Sequence, residues 1–199
     1  MAKNKFDTLI IASHNEGKIE EFKSLFSTYN FKIKSSLDLK IPEVQETGKT
    51  FEENALLKLK SIPKEYFAIA DDSGLCIKAL GGKPGIFSSR FASEHDGWSS
   101  AMEKLFKETS RKKNRDFSAK FICTLAVNIP NEKVFIYFGE VHGRIVWPPS
   151  GKNGFGYDPF FVPKGYKRTF GDFKHSDKIL VDHRFQAFKK FAKEHLNNI

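Results

Sequence analysis

Two adjacent acids, Asp71 and Asp72, stand directly behind the apolar run 67–70 and are followed by Ser73-Gly74. Neighbouring carboxylates repel each other and are costly to bury unless a cation or hydrogen-bond donors offset their charge. Extended backbone points successive side chains to opposite faces, so only one of the pair turns toward a given site. Hard oxygen donors suit Mg2+, which keeps several waters and takes one or two carboxylates together with substrate phosphates. A plain turn or a helix-capping aspartate is the competing explanation.

Four other clusters have chemistry-bearing composition. Ser13-His14-Asn15-Glu16-Gly17-Lys18 is a polar turn between an apolar run and an amphipathic one. Backbone N–H groups at a helix start attract anions, and Lys18 adds a full positive charge. The turn is not a P-loop, because Ala12 stands where that motif needs Gly and Ile19 where it needs Ser or Thr. Glu43, Glu46, Glu52 and Glu53 form an acidic stretch that is either solvated or, through a loop acid, able to complete an ion's coordination near Asp72. Gly154-Phe155-Gly156-Tyr157-Asp158-Pro159 places glycines around an aromatic ring, which lets backbone approach a flat ligand and a base stack on Phe155. Lys178 with His183-Arg184 gathers donors just before the last helical segment, where positive charge is a poor partner for the helix dipole.

The elements that must hold these clusters alternate between strand and helix. Residues 9–12 read as a short buried strand. Ile19, Phe22, Leu25 and Phe26 share one helical face, with Lys18, Glu20, Glu21 and Lys23 largely outside it. Phe31 and Ile33 alternate with lysines as in a strand. Thr50-Phe51-Glu52-Glu53 matches a capping box before a helix that runs to Pro63. Residues 67–70 predict a buried strand that ends in the acid pair, and the breaker-rich stretch 81–85 a loop. A helix is predicted over 98–107, a long strand with one apolar face over 117–127, and its hairpin partner over 134–144. The loop 148–154 leads to a short strand near 160–162, and a final helix covers 184–196. This is an α/β pattern: an elongated mixed β-sheet with flanking helices, forming two lobes around a central cleft within a single domain, 1–199.

With 199 residues and 40% hydrophobic content, including 21 phenylalanines, the chain can bury a core of its own. No run approaches the roughly 20 apolar residues that a bilayer span needs. Residues 1–8 are polar and lead into a strand, which argues against a signal peptide. The two cysteines, Cys76 and Cys123, sit in apolar runs and read as buried thiols of a reducing compartment. The net charge of +9 comes partly from Arg111-Lys112-Lys113 with Arg115 and from Lys189, Lys190 and Lys193. These read as a solvated loop and a polar helix face, without the interleaved aromatics of a nucleic-acid module. Lysines, acids and an aromatic corner together describe a nucleotide polyphosphate with a metal.

The blocks 13–18, Glu46-Thr47-Gly48 with 51–55, 70–75, 84–92, 154–159 and His183-Arg184 resemble, in this order, the inosine triphosphate pyrophosphatase family, from about residue 9 to 188. The resemblance implies hydrolysis of ITP, dITP or XTP to the monophosphate and pyrophosphate, an ITPase-like two-lobed fold, a Mg2+ cofactor, a homodimer and a cytoplasmic setting. It makes Asp72 the proton acceptor and a metal ligand, with Glu46 as second ligand. Ser13, His14, Asn15, Glu16, Gly17, Lys18 and Ser73 would line the substrate. Phe155, Gly156, Tyr157, Asp158, Lys178, His183 and Arg184 would hold phosphates and base. Three departures stand out: Gln45 where relatives usually carry an acid, Asp182 where Ser is usual, and Phe87 in place of a frequent Tyr. The first leaves the second metal carboxylate to Glu46 or Glu53. Two alternatives make other demands: a Maf-type pyrophosphatase would act on modified pyrimidine or ordinary nucleotides, and a nucleic-acid binder would release no pyrophosphate and bind with strong salt dependence.

Overall fold

A computed structural model describes residues 6–196; residues 1–5, part of the N-terminal stretch read above, lie outside it. The strands are β1 (Thr8–Ile11), β2 (Lys32–Ser35), β3 (Phe67–Ile77), β4 (Ser118–Asn128), β5 (Val134–Ile145) and β6 (Phe161–Pro163). The helices are α1 (Glu16–Leu25), α2 (Phe51–Leu59), α3 (Ser88–Ser93), α4 (Trp98–Ser110), α5 (His175–Lys178) and α6 (His183–His195). All six strands join one sheet in the order β2-β1-β3-β4-β5-β6. β1 is parallel to β2 and to β3, with Leu9 beside Ile33 and Phe67. β5 and β6 are antiparallel, with Arg144 opposite Val162, so the sheet is mixed. Among the described residues no helix is long and apolar enough to cross a membrane.

The chain divides into two compact units, and β3, β4 and β5 pass from one into the other. One unit comprises residues up to Asp72, Cys123–Gly139 and the chain from Arg184 onward. Ile10, Ala12, Ala68, Ala70 and Ala126 of its strands pack against Ala55 and Leu59 of α2. Its other core is aromatic: Phe26 of the α1 C-cap meets Phe188 edge-on at 4.9 Å, and Phe67 lies beside Phe31 and Phe191. The other unit comprises Ser73–Ile122 and Glu140–His183. Its core gathers Leu75, Ile77, Leu105, Phe121, Phe160, Phe161 and Phe170. Burial of such rings accounts for much of the stability a chain of this size can reach.

Local sequence signals set the starts of the first two helices. Asn15 caps α1 by accepting the Lys18 N–H at 3.0 Å, and Thr50 caps α2 by accepting the Glu53 N–H at 3.1 Å. The expected capping box is only half formed, because the Glu53 carboxylate takes the Lys49 N–H instead of that of Thr50. In β4 the alternate positions Thr124, Ala126 and Asn128 are buried as well as Cys123, Leu125 and Val127, so half of this strand is covered on both faces.

The largest departure concerns the acid pair. Asp71-Asp72-Ser73-Gly74 does not end a strand; it forms the middle of the 11-residue β3. Gly74, a turn signal by composition, is there for close approach: a Cβ would come within 2.6 Å of the Ser88 hydroxyl and nearer still to the Gly85 carbonyl. The next residue, Leu75, donates its N–H to Ser88 Oγ at 3.0 Å, and Ser88 Oγ donates to Gly85 O at 2.7 Å. Gly74→Ala is therefore expected to lose about 1–3 kcal/mol through overpacking. Urea unfolding of the variant and parent measures this, and equal midpoints would refute the packing role.

Candidate active site

Because β3 continues through the acid pair, its alternation sends the two carboxylates to opposite faces. Both are buried, Asp71 at 1% and Asp72 at 3% exposure. Each meets a different set of partners within the first unit.

Asp71 faces α1 and α6. Its Oδ2 accepts from Arg184 Nη2 at 3.0 Å and lies 3.2 Å from Lys18 Nζ. Arg184 Nη1 also donates to Glu21, so one guanidinium ties α6 to both β3 and α1. Glu21 was expected on the solvated side of α1; it is buried, because Arg184 supplies the countercharge that makes burial tolerable. Burial alone would raise the Asp71 pKa, but Lys18, Arg184 and Lys58 outweigh it and hold the carboxyl far below the usual carboxylate range. Asp71 is thus a permanent anion.

Asp72 faces α2. Its Oδ2 accepts from Asn54 Nδ2 at 3.1 Å, and its Oδ1 lies 3.5 Å from Lys58 Nζ. Lys58 Nζ also donates to Glu46 Oε1 at 2.8 Å, so a single ammonium bridges two carboxylates. Asn54 Oδ1 in turn accepts the Gly48 N–H at 2.8 Å and fixes the loop that carries Glu46. Desolvation, with repulsion from Glu46, lifts the Asp72 pKa above its ordinary value despite Lys58 and Lys18 nearby. Burial opposes the charge on Lys58, yet Asp72, Asp71 and Glu46 together raise its pKa and keep it protonated. The two neighbours on β3 are therefore driven apart in acidity, Asp71 downward by its cations and Asp72 upward by desolvation.

Sequence reasoning passed over Lys58 and Glu21. The available signal was helical spacing: Asn54 and Lys58 are one turn apart on α2, and Lys18 and Glu21 share a face of α1. Of the two candidate second acids, Glu46 shares a cation with Asp72, whereas exposed Glu53 is spent on the Lys49 amide. Gln45 and Glu43 are exposed.

The turn before α1 is held by its own side chains. Ser13 Oγ accepts the Asn15 N–H at 3.2 Å, and His14 Nε2 donates to the Ile41 carbonyl at 2.8 Å. Glu16 and Gly17 open the helix, and Lys18 stands in its first turn. The helix N-terminus and the Lys18 ammonium give this turn a positive bias.

In the second unit, Asp158 anchors the glycine-flanked corner. Its Oδ2 accepts the Phe155 N–H at 2.8 Å and pairs with Lys178 Nζ at 2.6 Å, both carboxylate and ammonium being buried. Lys178 lies 4.8 Å from the Phe155 ring centre and 5.7 Å from that of Phe170. Gly154 and Gly156 take positive φ, and a Cβ on Gly154 would strike the Asp158 carboxylate. Tyr157 donates its hydroxyl to Ser88 O at 3.2 Å, and burial raises its pKa. His183 stacks on Phe121 at 4.9 Å with the rings 12° from parallel. Ser73 is half-buried on β3.

Among known proteins, a family model described as the Ham1 family matches residues 9–194. The chain belongs to the Ham1 family. A dITP/XTP pyrophosphatase of Agrobacterium fabrum is 41% identical over 208 residues, covering 96% of this chain and 97% of that protein. The dITP/XTP pyrophosphatase of Bacillus subtilis is 40% identical over 187 residues, covering 92% and 94%. Among solved structures, a HAM1 protein from Coxiella burnetii superposes with a TM-score of 0.85 at 34% identity, covering 96% of this chain and 99% of that one. The fold of this Ham1 protein is thus that of its structurally characterised relatives.

Two substitutions test the opposed environments of the acid pair. Asp71→Asn leaves Lys18 and Arg184 short of a buried countercharge and is expected to cost about 3–5 kcal/mol. The depressed Asp71 pKa adds stability that is fully present above the unfolded value of 3.8 and is lost as pH falls toward the folded value. The acid limb of the parent's stability curve should therefore flatten in Asp71→Asn, as followed by urea denaturation from pH 6 down to about pH 3. Asp72→Asn removes a carboxylate that burial disfavours, and its midpoint at pH 7 should equal or exceed the parent's. A large loss of stability would contradict the Asp72 environment described.

Proposed function

We propose that this chain is a nucleoside-triphosphate pyrophosphatase that hydrolyses dITP and ITP, XTP and dXTP, to the monophosphate and pyrophosphate, clearing non-standard purines from the nucleotide pool. The observation that carries the reading is Asp72: a buried carboxylate with raised pKa, flanked by ammonium groups, in a Ham1 chain whose relatives are dITP/XTP pyrophosphatases. A buried carboxylate shifted in this direction is a better proton acceptor than an exposed one.

In the proposed reaction Asp72 accepts the proton of a water that attacks the α-phosphorus, and the bond to the β-phosphate oxygen breaks. Lys18 and the N-terminus of α1 hold phosphate, and positive charge there offsets the charge developing on departing pyrophosphate. Ser13, His14, Asn15, Glu16 and Gly17 shape that turn, with Ser73 lining the substrate next to Asp72 in the chain. Phe155 offers a ring for stacking, while Gly156, Tyr157, Asp158 and Lys178 set its backbone and charge. His183 and Arg184 supply donors for the purine 6-oxo group. Adenine, with an amino donor at that position, would leave these donors unsatisfied.

The donor set around Lys58 fits a divalent cation. Asp72 and Glu46 already converge on one positive centre, and their carboxylate oxygens are the hard ligands Mg2+ prefers. Among the described residues no third His, Cys, Asp or Glu joins them, so substrate phosphates and water would complete the coordination. Mg2+ held there would supply charge neutralisation of the polyphosphate. The same reading places the enzyme in the cytoplasm, with its substrates, as a homodimer; light scattering of the purified protein tests the latter.

A substrate panel with and without Mg2+ tests the function. Pyrophosphate should appear from dITP and XTP only with Mg2+, and far more slowly from dATP and dGTP. Asp72→Asn should lower kcat by at least about 100-fold, and Lys18→Ala should chiefly raise KM. Equal turnover of all four nucleotides, or an Asp72→Asn variant as fast as the parent, would defeat the reading.

A further inference from the structure

We propose that Lys58 is the resident counter-ion of the Asp72–Glu46 pair, closing the divalent-cation site of the substrate-free protein until a polyphosphate draws the ammonium away. The proposal rests on the Mg2+-dependent pyrophosphatase reading above and adds a role that neither catalysis nor phosphate binding supplies. Lys58 Nζ sits 2.8 Å from Glu46 Oε1 and 3.5 Å from Asp72 Oδ1. Its side chain is 13% exposed, those of Glu46 and Asp72 33% and 5%. The other Asp72 oxygen is held by the Asn54 amide. The carboxylate oxygens that converge to offer a metal its protein ligands are thus already engaged by a monovalent cation belonging to the chain.

An ammonium and a divalent ion cannot share these oxygens cheaply. Their repulsion at such distances, in a site this poorly hydrated, exceeds that in bulk water severalfold. One must yield, and Lys58 is built to do so: four methylenes carry a compact head with three rotatable donors. Without substrate it has nowhere better to go, because the Glu46 and Asp72 carboxylates flank it at 2.8 and 3.5 Å. A triphosphate changes that balance twice over, offering phosphate oxygens to the metal and to the displaced ammonium. The metal then loads with the nucleotide and not ahead of it, and Lys58 couples the two binding events.

The experiment is a Mn2+ titration of the nucleotide-free protein, with free ion read by electron paramagnetic resonance. Wild type is compared with the neutral variants Lys58→Met and Lys58→Gln and with the charge-preserving Lys58→Arg. The neutral variants should bind Mn2+ at least about tenfold more tightly, since a neighbouring like charge is gone, while Lys58→Arg should stay near wild type. Adding Asp72→Asn to Lys58→Met should abolish the gain. Neutral variants that bind no more tightly than wild type overturn the proposal, as does a gain that survives the loss of Asp72. Pyrophosphate release from dITP is assayed on the wild type in parallel. Release without tighter Mn2+ binding in the neutral variants defeats the Lys58 assignment alone, whereas tighter binding without release upholds it and defeats the substrate reading.

Discussion

The buried ion pairs of the first unit trace back to a one-residue step along β3. Alternation on an extended strand is the only reason Asp71 and Asp72 do not confront each other, and it gives each a separate wall of the unit to face. On one side Lys18 and Arg184 gather around Asp71; on the other Asn54 and Lys58 gather around Asp72. Were the strand to end at the acids, as their composition suggests, neither set of partners would have a fixed target. Gly74 keeps the strand running by letting its backbone pass against Gly85 and Ser88.

The two acids sit in opposed electrostatic settings. Asp71 is surrounded by cations that favour its charge, so it holds α1 and α6 to the sheet and never needs a proton. Asp72 is desolvated, shares its ammonium with Glu46 and holds its charge less firmly.

Much of this was legible in the residues themselves. The alternation of strand and helix, the Asn15 and Thr50 caps and the mixed sheet follow from local patterns, because periodicity and capping chemistry act within a few residues. The clusters at Ser13–Lys18, at Asp71-Asp72 and at Phe155–Asp158 were visible as polar residues crowded between apolar runs. What local pattern could not show was long-range partnership. Glu21 reads as solvated because its countercharge lies 163 residues away, at Arg184. Gly74 reads as a turn because the groups it must approach are on another segment. Lys58 reads as a surface lysine on an amphipathic helix, and only the fold brings Glu46 and Asp72 to its tip.

The distance along the chain between Arg184 and its partners has a kinetic side. Its bonds to Asp71 and Glu21 close loops of 113 and 163 residues, among the farthest-reaching contacts of the protein. Phe188 and Phe191 on the same helix also complete the aromatic core around Phe26 and Phe67. During synthesis, Lys18, Glu21 and Asp71 leave the ribosome long before α6 exists, and until it docks they are unbalanced charges beside an open greasy surface. Loop closure of this span is slow and entropically costly. The helix α6 is the latch on the first unit, and a nascent chain stopped short of it carries Asp71 and Asp72 without the scaffold that sets them.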